Sequence, residues 1–411
     1  MSVATLFLPC ASGAEAFLAD EVRGLAPVGE RVTETRGGVA ITLANADVAL
    51  RLAMQLNLES RLAQRVLWRV ASAPYRSEDD LYELGCSIRW TDWISPRETL
   101  RVDVTAQRSP LKSLNFAGLR IKDAVCDVMR ELAGDRPNVD TWRPDLSLLL
   151  HLSADQATLY VDTSGEALFK RGWREDTGEA PLKETLAAAM LAAAGWLGRA
   201  DDAPLLDPCC GAGTIAIEAA QMSCGIAPGL QRRFAFERLI PFRALQRDWQ
   251  QLGEAARARV HAPSVAVHAG DVSFRMTDFA QRNAERAGVR DAIEFKTADA
   301  LQRLPPAESG TLVMNPPYGE RIEAKGSGQA ARQSFEDGGS SSEFFSRLAS
   351  HWKRSYPGWT AWVLSPDMKL PQAMRLKESR RVVMWNGPIE CRLFKFDLVA
   401  GSMRAKASAE A

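Results

Sequence analysis

Histidine is scarce in this 411-residue chain, and its four histidines, at 151, 261, 268 and 351, fall in no metal-ligand spacing. Seven cysteines, at 10, 86, 126, 209, 210, 224 and 391, form no Cys-x-x-Cys pair. No metal site is therefore expected, and unpaired thiols fit a reduced, cytoplasmic setting. No run of about eighteen apolar residues suggests a membrane span. The first ten residues, Met1 to Cys10, lack the basic start and apolar core of a signal peptide. There is no excess of either charge: Lys plus Arg is 51 and Asp plus Glu is 51. No global field draws in nucleic acid, so any contact with RNA or DNA must come from a local patch. No internal repeat is present.

What is there divides into three stretches followed by a tail. Residues 1–58 read strand, helix, strand, strand, helix, with Gly37-Gly38 turning the chain, which makes a small α+β unit. A second α+β unit occupies 59–165. It has strands expected at Arg61–Val70 and Thr99–Thr105, helices at Asp79–Gly85 and Ala117–Leu132, and an antiparallel pair at Leu146–Leu152 and Ala157–Val161. From 166 to 401 helices and strands alternate, which argues for a parallel sheet with helices on both faces. A terminal hairpin around Asn386-Gly387-Pro388 makes the last strand antiparallel. Gly/Ser/Gln-rich text at 324–342 suggests a mobile loop, and 402–411 a disordered tail.

Two motifs in the third stretch carry chemistry. The first is Gly211-x-Gly213, which follows the strand Pro204–Leu206 and opens the helix Thr214–Met222. Glycines there allow a tight turn and a close approach of backbone amides to a ligand, although a packing turn alone would look the same. Asp207, Asp271 and Asp299 end three successive strands, where ligands of open α/β sheets bind. An acid after the second strand can accept from ribose hydroxyls, and one after the third from an adenine amine. Each aspartate taken singly also fits a helix N-cap. A dinucleotide fold places its ribose acid about twenty residues past the glycines. Here Gly213 and Asp271 are 58 apart (271 − 213), with an Arg- and Trp-containing insertion at 224–262, which favours S-adenosylmethionine (SAM).

The second motif is Asn315-Pro316-Pro317-Tyr318, at the end of the apolar run Leu312–Met314. An exocyclic amine is a poor nucleophile because its lone pair is delocalised into the ring. The Asn315 side-chain oxygen and the Pro316 carbonyl can accept its two hydrogens and leave the lone pair aimed at a methyl donor. Tyr318 can stack on the base, and the prolines stiffen the loop. Catalysis would then be positioning and electrostatics without a strong base. A base in such a pocket must be flipped out or already unpaired.

With these motifs in place, the chain resembles the THUMP-domain RNA guanine-N2 methyltransferases, in particular those acting on bacterial large-subunit ribosomal RNA. The likeness runs from about 4 to 400. It includes Asp140–Asp145, Leu168–Arg174, Glu179–Ala187, Ala227–Leu230 and Asn386–Cys391. The resemblance implies a Rossmann-like class I SAM methyltransferase domain, α/β with an antiparallel last strand, preceded by ferredoxin-like and THUMP RNA-binding domains. It implies SAM-dependent formation of N2-methylguanosine in 23S rRNA. It maps cofactor contacts onto Asp207, Gly211, Gly213, Asp271 and Asp299, and catalysis onto Asn315, Pro316, Pro317 and Tyr318. Lys183 and Glu184 fall in a segment that closes over the cofactor. There are departures. Longer relatives carry a second methyltransferase domain, whose activity is expected to be absent. The acid-x-acid after the second strand reads Asp271-Val-Ser273, and Cys209-Cys210 stand in the glycine turn.

Candidate RNA contacts are Arg108, Lys112, Asn115, Phe116, Arg120 and Lys122, a stretch with cations, an aromatic and no acid; a solvated helix start and a core Phe116 fit equally well. Arg171 and Arg174, in Lys170-Arg171-x-x-Arg174, form a second candidate. Trp90 and Trp93 read as core or interface. An N2-guanine enzyme acting on tRNA, an adenine-N6 DNA methyltransferase and a non-catalytic RNA-binding assembly factor remain alternatives. Asn-Pro-Pro-Tyr alone does not separate the first two from the rRNA reading.

Overall fold

The computed structural model describes residues 3–178, 181–316 and 341–399. The chain forms two compact units. The first holds residues 1–10, 18–168 and 232–255, and the second 11–17, 169–231 and 256–411.

The first unit is built on one eight-stranded sheet in the order β2-β3-β1-β4-β8-β7-β5-β6. Its strands are β1 (Ala4–Pro9), β2 (Arg31–Thr35), β3 (Gly38–Leu43), β4 (Leu67–Pro74), β5 (Thr99–Ala106), β6 (Asn138–Val139), β7 (Leu146–Leu152) and β8 (Gln156–Asp162). The two stretches that read as separate α+β units share this sheet, because β1 pairs with β4 through Leu6 with Trp68 and Phe7 with Leu67. The strand expected over Arg61–Val70 begins only at Leu67. The reason is the buried Glu21 carboxylate, which accepts from Ser60 Oγ (2.6 Å) and the Arg61 amide (2.7 Å) and folds that segment around itself.

The helix expected from Ala117 starts earlier, at Leu114–Ala133 (α4). Ser113 caps it by accepting from the Phe116 amide at 3.2 Å, and Gly134 ends it at φ 77° in the left-handed region. Residues 232–255 join this first unit through backbone bonds, the Ala235 amide donating to Ser164 O at 3.3 Å and the Ile240 amide to Trp93 O at 3.0 Å, and hold an aromatic nest of their own. Trp249 packs edge-on against Phe234 and Phe236, with ring centroids 5.7 and 5.0 Å away, and the Phe236 amide donates to Thr163 O at 2.9 Å.

The second unit has a seven-stranded sheet in the order β11-β10-β9-β12-β13-β15-β14. The strands are β9 (Leu205–Asp207), β10 (Val267–Asp271), β11 (Ile293–Thr297), β12 (Gly310–Met314), β13 (Trp359–Ser365), β14 (Arg380–Asn386) and β15 (Ile389–Asp397). The strands from β11 to β13 run parallel, and β15 inserts antiparallel between β13 and β14, as the terminal hairpin required. Helices α5 (Glu184–Ala194), α6 (Thr214–Ser223), α8 (Phe274–Arg286) and α9 (Ser341–Ser355) belong to this unit, while α7 (Gln246–Ala258) lies in the insertion. α5 is Ala/Leu-rich nearly all round and almost entirely buried, as a helix without a polar face must be. Gly13 cannot carry a side chain: at φ 90°, a Cβ would sit 1.9 Å from Val383 O. Among the described residues no helix is long and apolar enough to cross a membrane. The 324–340 part of the expected loop and the 402–411 tail lie outside the described residues.

Candidate functional site

The site gathers at the carboxyl ends of β11, β10, β9 and β12. Chain order reverses between β9 and β12, and at such a switch point an open α/β sheet leaves a crevice. Asp207 ends β9, Asp271 ends β10, Asp299 follows β11, and Asn315 follows β12 directly. Parallel pairing of these four strands puts their ends on one edge of the sheet.

The glycine turn is tied to the second acid. Gly211 N donates to Asp271 Oδ2 at 3.0 Å, and Ser273 N, at the missing second acid, donates to Asp271 Oδ1 at 2.9 Å. The two glycines serve different ends. Gly213, at φ 91°, holds α6 against α8, since a Cβ there would meet Ala280 at 3.0 Å and Ile217 at 3.1 Å. Gly211, at φ 52°, faces open space with nothing within 4 Å of a Cβ. A close backbone approach by a ligand is therefore open at Gly211.

Asp207 is buried, 1% exposed. Cys209 N donates to its Oδ1 at 3.3 Å, and its Oδ2 is buried without a partner among the described residues. Burial, and then repulsion from Asp271, push its carboxyl up to about 8. Burial also raises Asp271, against the opposing hydrogen bonds of Ser273 and Gly211. Asn315 Oδ1 is a second buried oxygen lacking a donor among the described residues. An unpaired buried acceptor costs about 1–3 kcal/mol, so two of them astride the switch point mark places where a ligand's donors fit. Asp299 Oδ1 accepts from Leu301 N at 2.8 Å and is only half-buried, which leaves its other oxygen for a ligand. Pro317 and Tyr318 lie outside the described residues.

Burial raises the Glu184 carboxyl, and Glu184 pairs with Arg174 at 2.7 Å. Lys183 is exposed, its ammonium 4.9 Å from the Phe169 ring centroid. Arg174 is thus corrected from an RNA contact to a part of this site. Its Nη2 reaches Thr214 Oγ1 (2.8 Å), the first residue after the glycine turn, and its Nη1 is buried without a partner among the described residues. Arg171 is corrected as well. It is 2% exposed and paired at 3.0 Å with the fully buried Glu218, which removes it from any surface open to RNA. Sequence reasoning missed Thr214 and the buried, unpaired Thr185 Oγ1. It also missed Val272 and Phe274, 38% and 75% exposed on either side of Ser273.

In the first unit the candidate RNA stretch is only partly free. Arg108, Lys112, Asn115 and Phe116 are exposed. Arg120 pairs with Asp79 at 2.7 Å and lies 4.5 Å over the Tyr82 ring, and Lys122 pairs with Asp123. Trp90 and Trp93 are buried.

Comparison with known proteins identifies the parts of the chain. Residues 5–67 match a family model described as the RlmL ferredoxin-like domain, and 75–162 one described as a THUMP domain. The ribosomal RNA large subunit methyltransferase K/L of Shewanella loihica is 38% identical over 360 residues, covering 86% of this chain and 48% of that protein. The chain thus spans about half the length of that relative. Of solved structures, SMU.472, crystallised with SAH, superposes with a TM-score of 0.80 at 25% identity, covering 98% of this chain and all of that one. A protein of Listeria monocytogenes named as a predicted N6-adenine-specific DNA methylase gives 0.79 at 28% identity, with 96% of each chain covered. Residues 171–395, more than half of the chain, match the model described as the RMKL-like methyltransferase domain, and the chain belongs to that family.

Proposed function

We propose that this chain transfers a methyl group from SAM to the exocyclic N2 of a guanosine in large-subunit ribosomal RNA, with the base held out of its stack beside Asn315. The observation that carries the reading is the buried Asn315 Oδ1, an acceptor without a donor among the described residues, next to the switch-point crevice lined by Asp207 and the glycine turn. SAM, when bound, supplies an electrophilic methyl group on a sulfonium.

The protein's own residues do the rest. Asp271 receives ribose hydroxyls on the lone pairs that Gly211 and Ser273 leave free, and Val272 and Phe274 give an adenine ring apolar cover. The free corner of Arg174 receives the ligand's carboxylate, and Asp207 Oδ2 a donor from its amino-acid end. Asn315 Oδ1 and the Pro316 carbonyl accept the two N–H hydrogens of the target amine. The nitrogen lone pair is then turned toward the methyl group, and the gain is in orientation and electrostatics. Pro317 and Tyr318 complete the loop in this reading, and Lys183 borders the cofactor side. Arg108, Lys112, Asn115 and Phe116 supply phosphate contacts and an aromatic face.

The THUMP match at 75–162 supports RNA over DNA, as does the Shewanella relative's name. The name of the Listeria protein favours adenine N6 in DNA as the second reading. The test compares wild type with Asn315→Ala for SAM affinity and for transfer to RNA. Loss of transfer by about a hundredfold or more with SAM binding kept is expected. Undiminished transfer would overturn the assignment of Asn315.

A further inference from the structure

Ten of the eleven tryptophans in this chain are buried or half-buried. Trp142 is the exception, with 89% of its surface open. A lone exposed apolar residue needs no explanation by itself. The loop that presents this one is different, because it is fixed along its length.

The Asp140 amide donates to Leu100 O (3.2 Å) and the Asp145 amide to Thr99 O (3.1 Å), so both ends are sewn to the start of β5. Between them Asp140 Oδ1 accepts from the Trp142 amide at 2.8 Å and the Arg143 amide at 3.0 Å, closing a tight side-chain-to-backbone turn. Arg101 Nη1 donates to Thr141 O at 3.0 Å, and Asp145 Oδ2 takes the Thr99 amide and hydroxyl, each at 3.0 Å. The indole is therefore held out by a pre-ordered loop, and little conformational entropy is left to lose on contact.

The charge around it is positive where it is free. The carboxylates are already engaged: Asp140 by the two amides, Asp145 by Thr99 and by Arg238 Nη1 at 2.8 Å, and Asp103 by Arg101 at 2.9 Å. Arg143 is exposed and makes no ion pair among the described residues. Arg238, contributed by the 232–255 insertion, is 62% exposed. An exposed indole on a pre-ordered loop, next to the unpaired guanidinium of Arg143, suits an unpaired base with its flanking phosphate.

From this we infer that Trp142 is a stacking platform for an unpaired base of the RNA substrate, with Arg143 at the adjoining phosphate. The inference rests on the RNA reading above and adds a second contact region to it. The two regions are separate. The Arg108–Phe116 segment leaves β5 after Ala106, whereas the Trp142 loop joins its first residues, roughly 23 Å away along the strand.

The test measures binding of the full chain to short unpaired RNA and to an RNA duplex of equal length, at several salt concentrations. The variants are Trp142→Ala, Trp142→Phe and Arg143→Ala, and both side chains are exposed enough to leave folding intact. Trp142→Ala should weaken binding to unpaired RNA on the order of tenfold without changing the salt slope. Trp142→Phe should restore most of the affinity, and Arg143→Ala should lower the slope by about 1. Wild-type affinity for unpaired RNA in Trp142→Ala would overturn the inference and leave the RNA reading standing. Equal loss on the duplex would overturn it too, since a paired base offers no free face. Absence of RNA binding by the wild type would remove the RNA reading and this inference together.

Discussion

Replacing Asp207 by Asn should make the ligand-free protein more stable at alkaline pH while weakening cofactor binding. The carboxyl is buried, its Oδ2 has no donor, and Asp271 lies close enough to repel it; its folded pKa stands near 8 against an ordinary 3.8. A raised acid holds its proton longer in the folded state than in the unfolded one. Between about pH 4 and 8 the folded state therefore binds more protons, and stability falls as pH rises. The slope from this one group is about 1.4 kcal/mol per pH unit, or roughly 3 kcal/mol between about pH 6 and 8. Asn has the same shape and no proton to lose. Other raised acids, among them Asp271 and Glu184, remain in both proteins, so the difference between wild type and variant isolates Asp207. Thermal melts of the two proteins at both pH values should show the gap between them widening by about 5–10 °C at the higher pH in favour of the variant. Calorimetric titration with SAM should show weaker binding by the variant. A gap that does not change with pH would mean that Asp207 is ionised throughout, and the reasoning from burial would fail.

Other outcomes follow from the same site. Gly211→Ala should cost about 1 kcal/mol of stability, since only φ is strained, yet it should weaken SAM binding because the new methyl points into the open space. Gly213→Ala should instead destabilise by more than this in chemical denaturation, because Ala280 and Ile217 stand in the way. Glu218→Gln leaves the buried Arg171 without its counter-charge and should cost about 3 kcal/mol, read by the same denaturation. Arg120→Ala should change RNA affinity little, because Asp79 and Tyr82 already occupy that guanidinium, whereas Arg108→Ala with Lys112→Ala should reduce the salt slope of RNA binding.

Much of the second unit was legible in the sequence because its chemistry stands where apolar runs stop. Leu205–Asp207, Val267–Asp271 and Gly310–Met314 each end at or beside a residue with a polar task, and alternation of strand and helix sets the parallel sheet. What the sequence concealed was long-range. Nothing in Lys170-Arg171-x-x-Arg174 shows that Glu218, 47 residues beyond Arg171, and Glu184, 10 residues beyond Arg174, will take its two arginines out of solvent. The strand expected from Arg61 depended on where Glu21 would be buried. Phe234, Phe236 and Trp249 read as part of a catalytic-domain insertion, whereas the backbone bonds from Phe236 to Thr163 and from Ile240 to Trp93 place their segment with the first unit. Nothing in the sequence marks Trp142 as exposed, since exposure is a property of the surrounding loop.

The central claim is tested most directly by incubating the protein with labelled SAM and ribosomal RNA from a strain lacking this gene, then identifying the labelled nucleoside by mass spectrometry. N2-methylguanosine in the large-subunit RNA is the result this account predicts. Label in N6-methyladenine, or none from protein shown to bind SAM, would contradict it.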